Sequence, residues 1–368
     1  MLKKMLFSIF SVSLFASEGY YPKGENLYYP HTLQADSKNW CSVIKNAPEK
    51  TTIILKDGIY LGECKLRNKK HLTIKSANKW GVKYRGNGYF IECEDDNSYI
   101  HILGIEASNP SASKDSGIFK MHGYQYYNHH AYIADCWVHD MGGAIMTGPT
   151  VHDVTVDKCL IHDIKKNYYW YAMGWRLVLS NSLCFHPEND GMMCRGHYPI
   201  NKRWKWGSVN DVRKDASAKN IPADEWTHRI VNNTFSKGYG REAGRSWNRG
   251  AAISFYIGWN EDKAEESYFP PQNVLIENNT FYDITPSYDK KHNITFKGAI
   301  NIHAGGGFPM LIPSYHDSGR GAVIKGTVIK NNKSNGKLLK EFWNPNLTLL
   351  KLQNNKEFVD MKAPKLVF

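Results

Sequence analysis

Cysteine is scarce in this sequence. Only seven stand among 368 residues, at positions 41, 64, 93, 136, 159, 184 and 194. That density is too low for a disulfide-stapled scaffold. No CxxC pair occurs, so no zinc site is expected and no metal ligands are assigned. Long apolar runs are missing too. After Phe15 nothing approaches the roughly 18 residues of a membrane helix, which predicts no membrane insertion. Acidic residues are outnumbered, 35 against 47 basic ones, for a net charge of +12. Through the middle of the chain no helical pattern of ten or more residues stands out.

What is present begins at the N-terminus. Lys3 and Lys4 precede an apolar stretch from Met5 to Phe15, followed by Ala16 and Ser17. This order reads as a secretory signal peptide over residues 1–17, and it predicts a periplasmic or extracellular protein. Its removal takes the net charge from +12 to +10. For an exported basic protein, an acidic polysaccharide is a more plausible partner than nucleic acid.

The middle of the chain repeats. DCWVHD, KCLIHD, NSLCFH, NNTFSK and NNTFYD share one formula, anchored at Cys136, Cys159, Ser182, Asn233 and Asn279. The steps between anchors are 23, 23, 51 and 46 residues, so 23 is the unit, with an insertion of about five inside the third step. KGTVIKNN is expected to continue the series with Gly326 as its anchor. The apolar runs are short, alternate with period two and end in Asn, Asp or Gly, the mark of strands and turns. Short strands at a fixed period predict an all-β solenoid, a right-handed parallel β-helix of about 23 residues per coil.

Stacking predicts ladders. Cys136 and Cys159 share a rung, and either a buried thiol pair or a bridge satisfies the spacing. His139-Asp140 and His162-Asp163 look like catalytic dyads, but their recurrence at the repeat favours turn residues whose carboxylates accept backbone N–H groups. Asn233 and Asn279 read as an asparagine ladder.

The boundaries follow: residues 18–50 as an N-terminal cap segment, 51–335 as the β-helix, and 336–368 as a tail packing across the other end. A monomer is expected.

ILKDGIY, HLTIKS and YRGNG, between residues 53 and 88, carry a resemblance. This entry resembles the opening coil of secreted lyases and epimerases of the pectate lyase superfamily, nearest the chondroitinase B and alginate lyase branch. The resemblance implies cleavage of a uronate-containing polysaccharide by β-elimination. An Arg or Lys base is implied, with calcium or a cationic side chain stabilising the developing charge. Glu92, Glu94, Asp95 and Asp96 are the only calcium candidates, and a solvated turn is their simpler reading. A glycoside hydrolase on the same fold, and a binding protein without catalysis, are the alternatives; a hydrolase would need two facing carboxylates, with Asp190 and Glu225 or Glu242 the acids nearby.

One stretch concentrates the expected chemistry. NDGMMCRGHYPINKRWKWG, residues 189–207, mixes cations with aromatic rings. Arginine forks grip carboxylates, and rings stack on sugar faces. Arg195, His197, Lys202 and Asp190 are the candidate catalytic residues. Tyr198, Arg203, Trp204 and Trp206 are assigned to substrate binding, with Trp170, Lys120, His122, Arg245, Trp247, Tyr256 and His303. Aligning GIFKMHG, GAIMTG, GMMCRG, AAISFY and GAINIH puts Lys120 level with Cys194, Met121 with Arg195, and His122 with Tyr256 and His303.

Overall fold

The computed structural model describes residues 26–112, 115–123, 127–148, 151–165, 168–187, 191–195, 228–236, 251–257, 274–282, 287–289, 294–296, 298–304, 326–342 and 351–361. Each coil sends one strand to each of three sheets in turn. The first sheet has eleven strands, and the second and third have nine each. Every pairing within them is parallel; among the described residues the single antiparallel pair is the hairpin of Ser287–Asp289 with Ile294–Phe296.

Alternation explains why these residues become strands. In the first sheet Ile53, Ile74, Ile102, Ile133, Val156, Leu179, Ile230, Ile276 and Ile329 lie in unbroken register. All nine are buried in the core. Their β-branched or bulky chains suit a pleated wall, and truncating one to Ala would cost about 2–5 kcal/mol. The second sheet adds rings to the same interior, with Phe235 and Phe281 stacked 5.3 Å apart.

Asparagines bind the coils at the corner after the first sheet. The Asn279 side-chain oxygen accepts from the Asn233 backbone N–H at 2.9 Å and from its Nδ2 at 3.0 Å. Asn332 repeats this toward Asn279 at 2.9 and 3.0 Å. Asn332, not Gly326, is therefore the next rung. The length and apolar content of KGTVIKNN suited either choice, but TVIKNN is the part that copies the earlier formula. Cys136 and Cys159 are buried free thiols, so the thiol pair is what forms.

One disulfide does occur among the described residues. Cys41 and Cys64 bridge with Cα atoms 5.3 Å apart and a separation of 23 residues, one repeat unit. It ties the helix Trp40–Asn46 to the first strand of the third sheet, Cys64–Arg67. Trp40 from that helix lies flat on Phe90, with centroids 4.8 Å apart, and closes the end of the core. At the far end, Leu339–Phe342 and Lys351–Gln353 add strands to the third and first sheets. These parts of the tail extend the winding rather than cross its end, because their backbone groups pair with the last rungs.

Candidate functional site

The third sheet carries the residues that fit a polymer-binding face. Its first three strands are Cys64–Arg67, Tyr89–Asp95 and Gly117–Met121. Their register sets Lys65 beside Glu92 and Glu92 beside Lys120. Strand alternation sends neighbours of these residues inward, so the three charged chains share the outer face. Glu92 Oε1 lies 3.0 Å from Lys120 Nζ and 2.5 Å from His122 Nε2, while Oε2 lies 3.2 Å from Lys65 Nζ. Burial alone would raise Glu92, but His122, Lys120 and Lys65 outweigh it and hold the carboxyl well below its usual range. Glu94 extends the group, pairing with Lys65 at 3.2 Å and with Arg67 at 2.7 Å.

Of the acids considered for calcium, Glu92, Glu94 and Asp95 thus already face four cationic or imidazole groups, and an ion there would have to displace them, while Asp96 accepts from the Tyr127 backbone N–H. Glu92 is part of a strand rather than a solvated turn, and only 7% of its side chain is exposed. Lys120 and His122 keep 18% and 28% of their side chains exposed.

Further along the face the column continues from Lys120 to Met146 and then Tyr171. Tyr168 stacks on Tyr171 with centroids 5.6 Å apart. Of the aromatic stretch here, Trp170 was expected to bind sugar, and the structure corrects this. It is 1% exposed, and its Nε1 donates to Thr147 Oγ1 at 3.2 Å. The alternation of the strand turns Trp170 into the wall and leaves its neighbour Tyr171 half-buried at the surface.

Register also corrects the expected alignment. Met193, not Cys194, sits beside Tyr171 in the line of Lys120, and Cys194 pairs with Ala172 in the line of Met121. Arg195 then pairs with Tyr256, which pairs with His303. Met193 stands two residues after Gly191, where Lys120 stands three after Gly117, so anchoring on the glycine shifted the count by one, and a one-residue slip exchanges the two faces of a strand. Lys120 and Arg195 belong to strands three coils apart, roughly 14 Å along the axis at about 4.8 Å per coil. They cannot act on one sugar, though one chain of sugars can meet both. Asp190, His197, Tyr198, Lys202, Arg203, Trp204, Trp206, Arg245 and Trp247 lie outside the described residues.

The His-Asp repeats occupy the second sheet and the corner after it. Asp140 and Asp163 adopt left-handed backbone angles, φ 49° and 52°, as turn residues do. Their carboxylates pair with the preceding imidazoles, at 3.1 Å to His139 and 2.7 Å to His162, rather than with backbone N–H groups.

A cluster missed by the sequence reading lies on the first sheet, at the start of strands His129–Ala134 and His152–Asp157. His152 Nδ1 lies 2.6 Å from Asp153 Oδ2, and His130 Nε2 lies 3.6 Å from the same oxygen. All three residues are buried. Arg176 Nε approaches Asp153 Oδ1 at 2.8 Å but off the hydrogen-bond axis, so that contact is chiefly electrostatic. Burial, ahead of the neighbouring charges, brings His130 down to about 3 and raises Asp153. The signal was available: His129-His130 and His152-Asp153 stand one 23-residue unit apart.

No protein-family model and no curated protein matches the chain. Among solved structures it is similar to an alginate lyase from Paenibacillus sp. strain FPU-7, with a TM-score of 0.51 and 13% identity over 89% of this chain and 95% of that one. The catalytic domain of a GH87 α-1,3-glucanase superposes with a TM-score of 0.49 and 12% identity, over 90% of this chain and 58% of that one. Pectate lyase Pel9A gives 0.48 and 12%, over 92% of this chain and 80% of that one. Identity so low speaks for the winding of the backbone and not for chemistry. The fold is a right-handed parallel β-helix.

Proposed function

We propose that this protein is an exported polysaccharide lyase that holds a uronate-containing chain along the outer face of its third sheet. The observation that carries the reading is the line Lys65, Glu92, Lys120 and His122, continued two coils on by the Tyr168–Tyr171 platform. Cations suit carboxylates and rings suit sugar faces, and the axis of the solenoid gives both at polymer spacing.

In this reading Glu92 accepts the His122 Nε2 proton and leaves Nδ1 to remove the proton α to the uronate carboxylate. Lys120 stabilises the charge that develops on that carboxylate. The glycosidic oxygen leaves with the electron pair, and the new sugar end carries a carbon–carbon double bond. The Cys41–Cys64 bridge supports export, since disulfides persist in oxidising compartments.

The test is ultraviolet absorbance of the unsaturated product during incubation with alginate, pectate and chondroitin. A rising signal that falls about 100-fold in His122→Ala, with binding retained, supports the reading. A flat trace with all three and retained binding points to a binding protein. New reducing ends without absorbance point to a hydrolase.

A further inference from the structure

The first-sheet cluster stands apart from the third-sheet face, and its atoms are arranged in a way the proposed reaction does not need. Three potential ligand atoms, one each from His130, His152 and Asp153, lie within 4.8 Å of one another. The two imidazoles turn His130 Nε2 and His152 Nδ1 toward one carboxylate oxygen, Asp153 Oδ2. Two imidazole nitrogens and a carboxylate oxygen are a donor set for borderline divalent ions, zinc foremost, and not for calcium or magnesium.

The outer contacts fit the same role. A metal-bound histidine ordinarily hands its other ring N–H to an acceptor, which sets tautomer and orientation. His152 Nε2 lies 2.6 Å from the Tyr127 hydroxyl, and His130 Nδ1 lies 2.5 Å from His129 Nδ1. Each imidazole therefore has its far nitrogen engaged while the near one faces Asp153. Arg176 holds the other carboxylate oxygen, Oδ1, and keeps Oδ2 directed at the histidines. The backbone is committed to this placement as well. His130 and Asp153 take left-handed angles, φ 54° and 57°, a conformation unfavourable for residues other than glycine.

We propose that His130, His152 and Asp153 form a binding site for one divalent transition-metal ion of the zinc class, clipping two neighbouring coils of the first sheet together. On binding, the proton held between Asp153 Oδ2 and His152 Nδ1 is released to solvent as the metal takes both atoms, and the neutral imidazole keeps its one proton on Nε2, donated to the Tyr127 oxygen. The two coils are joined by ligands from both, so occupancy stabilises the winding there.

The experiment uses the full untagged chain, stripped with a chelator and titrated with zinc alone by calorimetry, with elemental analysis after dialysis. The expected result is one zinc per chain and an upward shift of the thermal midpoint. Cobalt(II) in place of zinc should give visible absorption bands of a low-coordinate site. Asp153→Asn and His130→Ala should weaken zinc binding by about 100-fold, and Tyr127→Phe, which leaves all three ligands, by about 10-fold. If Asp153→Asn does not fold, Tyr127→Phe and the cobalt spectrum decide. Zinc well below one equivalent, or binding that Tyr127→Phe and His130→Ala leave unchanged, overturns the site. None of these readouts depends on lyase activity, so the site stands or falls separately from the proposed function.

Discussion

Two positions along the first sheet face the same backbone problem and answer it with different residues. After each of the last eight of its eleven strands the chain turns through a left-handed residue, and the occupants are Gly104, Asp135, Lys158, Asn181, Asn232, Asn278, Asn331 and Asn354. Glycine, asparagine and aspartate tolerate that conformation most readily, so this corner is conformationally cheap. The second residue of five successive first-sheet strands is also left-handed, and there the occupants are His71, Tyr99, His130, Asp153 and Arg176. Only Asp153 among them is a small turn former. Their rings stack instead, His71 on Tyr99 at 4.4 Å and Tyr99 on His130 at 4.6 Å. Strain tolerated at groups able to do chemistry is the usual mark of a working position. The asparagine corner is architecture, and the histidine edge is architecture put to a further use.

The comparison can be broken in several ways. The largest effect is expected at the strained edge. Arg176→Met leaves the buried Asp153 carboxylate without its cation, and denaturant unfolding should show a loss of about 4 kcal/mol. A loss below about 1 kcal/mol would mean that the pair is not structurally coupled.

At the asparagine corner, Asn279→Ala removes the acceptor for Asn233 and the donor to Ile230 O. Buried groups left without partners should cost about 3 kcal/mol in the same measurement. An effect equal to that of an exposed asparagine would refute the ladder as a structural element.

The third-sheet network gives a pH-dependent contrast. Glu92 is depressed in the folded protein, so its contribution is present above the ordinary glutamate value and is lost as pH falls through the folded value. Glu92→Gln should therefore destabilise by about 2 kcal/mol at neutral pH. The gap from the wild type should close steadily as the solution is acidified below the ordinary glutamate range. A gap that stays constant with pH would show that charge on Glu92 contributes nothing.

The smallest effect returns to the inexpensive corner. Lys158 is the misfit in its column, with 60% of its side chain exposed and a loose 3.8 Å contact to Asp157. Lys158→Asn should raise stability by about 0.5–1 kcal/mol, seen as a higher thermal midpoint. No gain would mean that the backbone there is less strained than its φ of 52° indicates.

Much of this was legible in advance, and for a physical reason. A solenoid repeats its environment each coil, so the 23-residue unit, the apolar alternation and the asparagine rungs all appear as periodicity in a one-dimensional string. The thiol pair was readable in the same way. Where the period slipped by one residue, as at Met192-Met193, the reading moved Arg195 to the wrong line. Trp170 was misread because composition marks a ring as useful without saying which side of the strand it occupies. Glu92 was misread because its partners, Lys65 and Lys120, are 27 and 28 residues away and belong to no motif.

The sequence alone therefore determined the winding: strand, turn and rung recur at fixed distances, and local preference with burial is enough to specify them. Only the tertiary structure decided which charges meet. Lys65, Glu92, Lys120 and His122 are brought together by register across coils, as are His130, His152 and Asp153, and register is a property of the stacked sheet. Contacts of that kind have no signature in any short window, because the energy that makes them arises only once neighbouring coils exclude water from the groups between them.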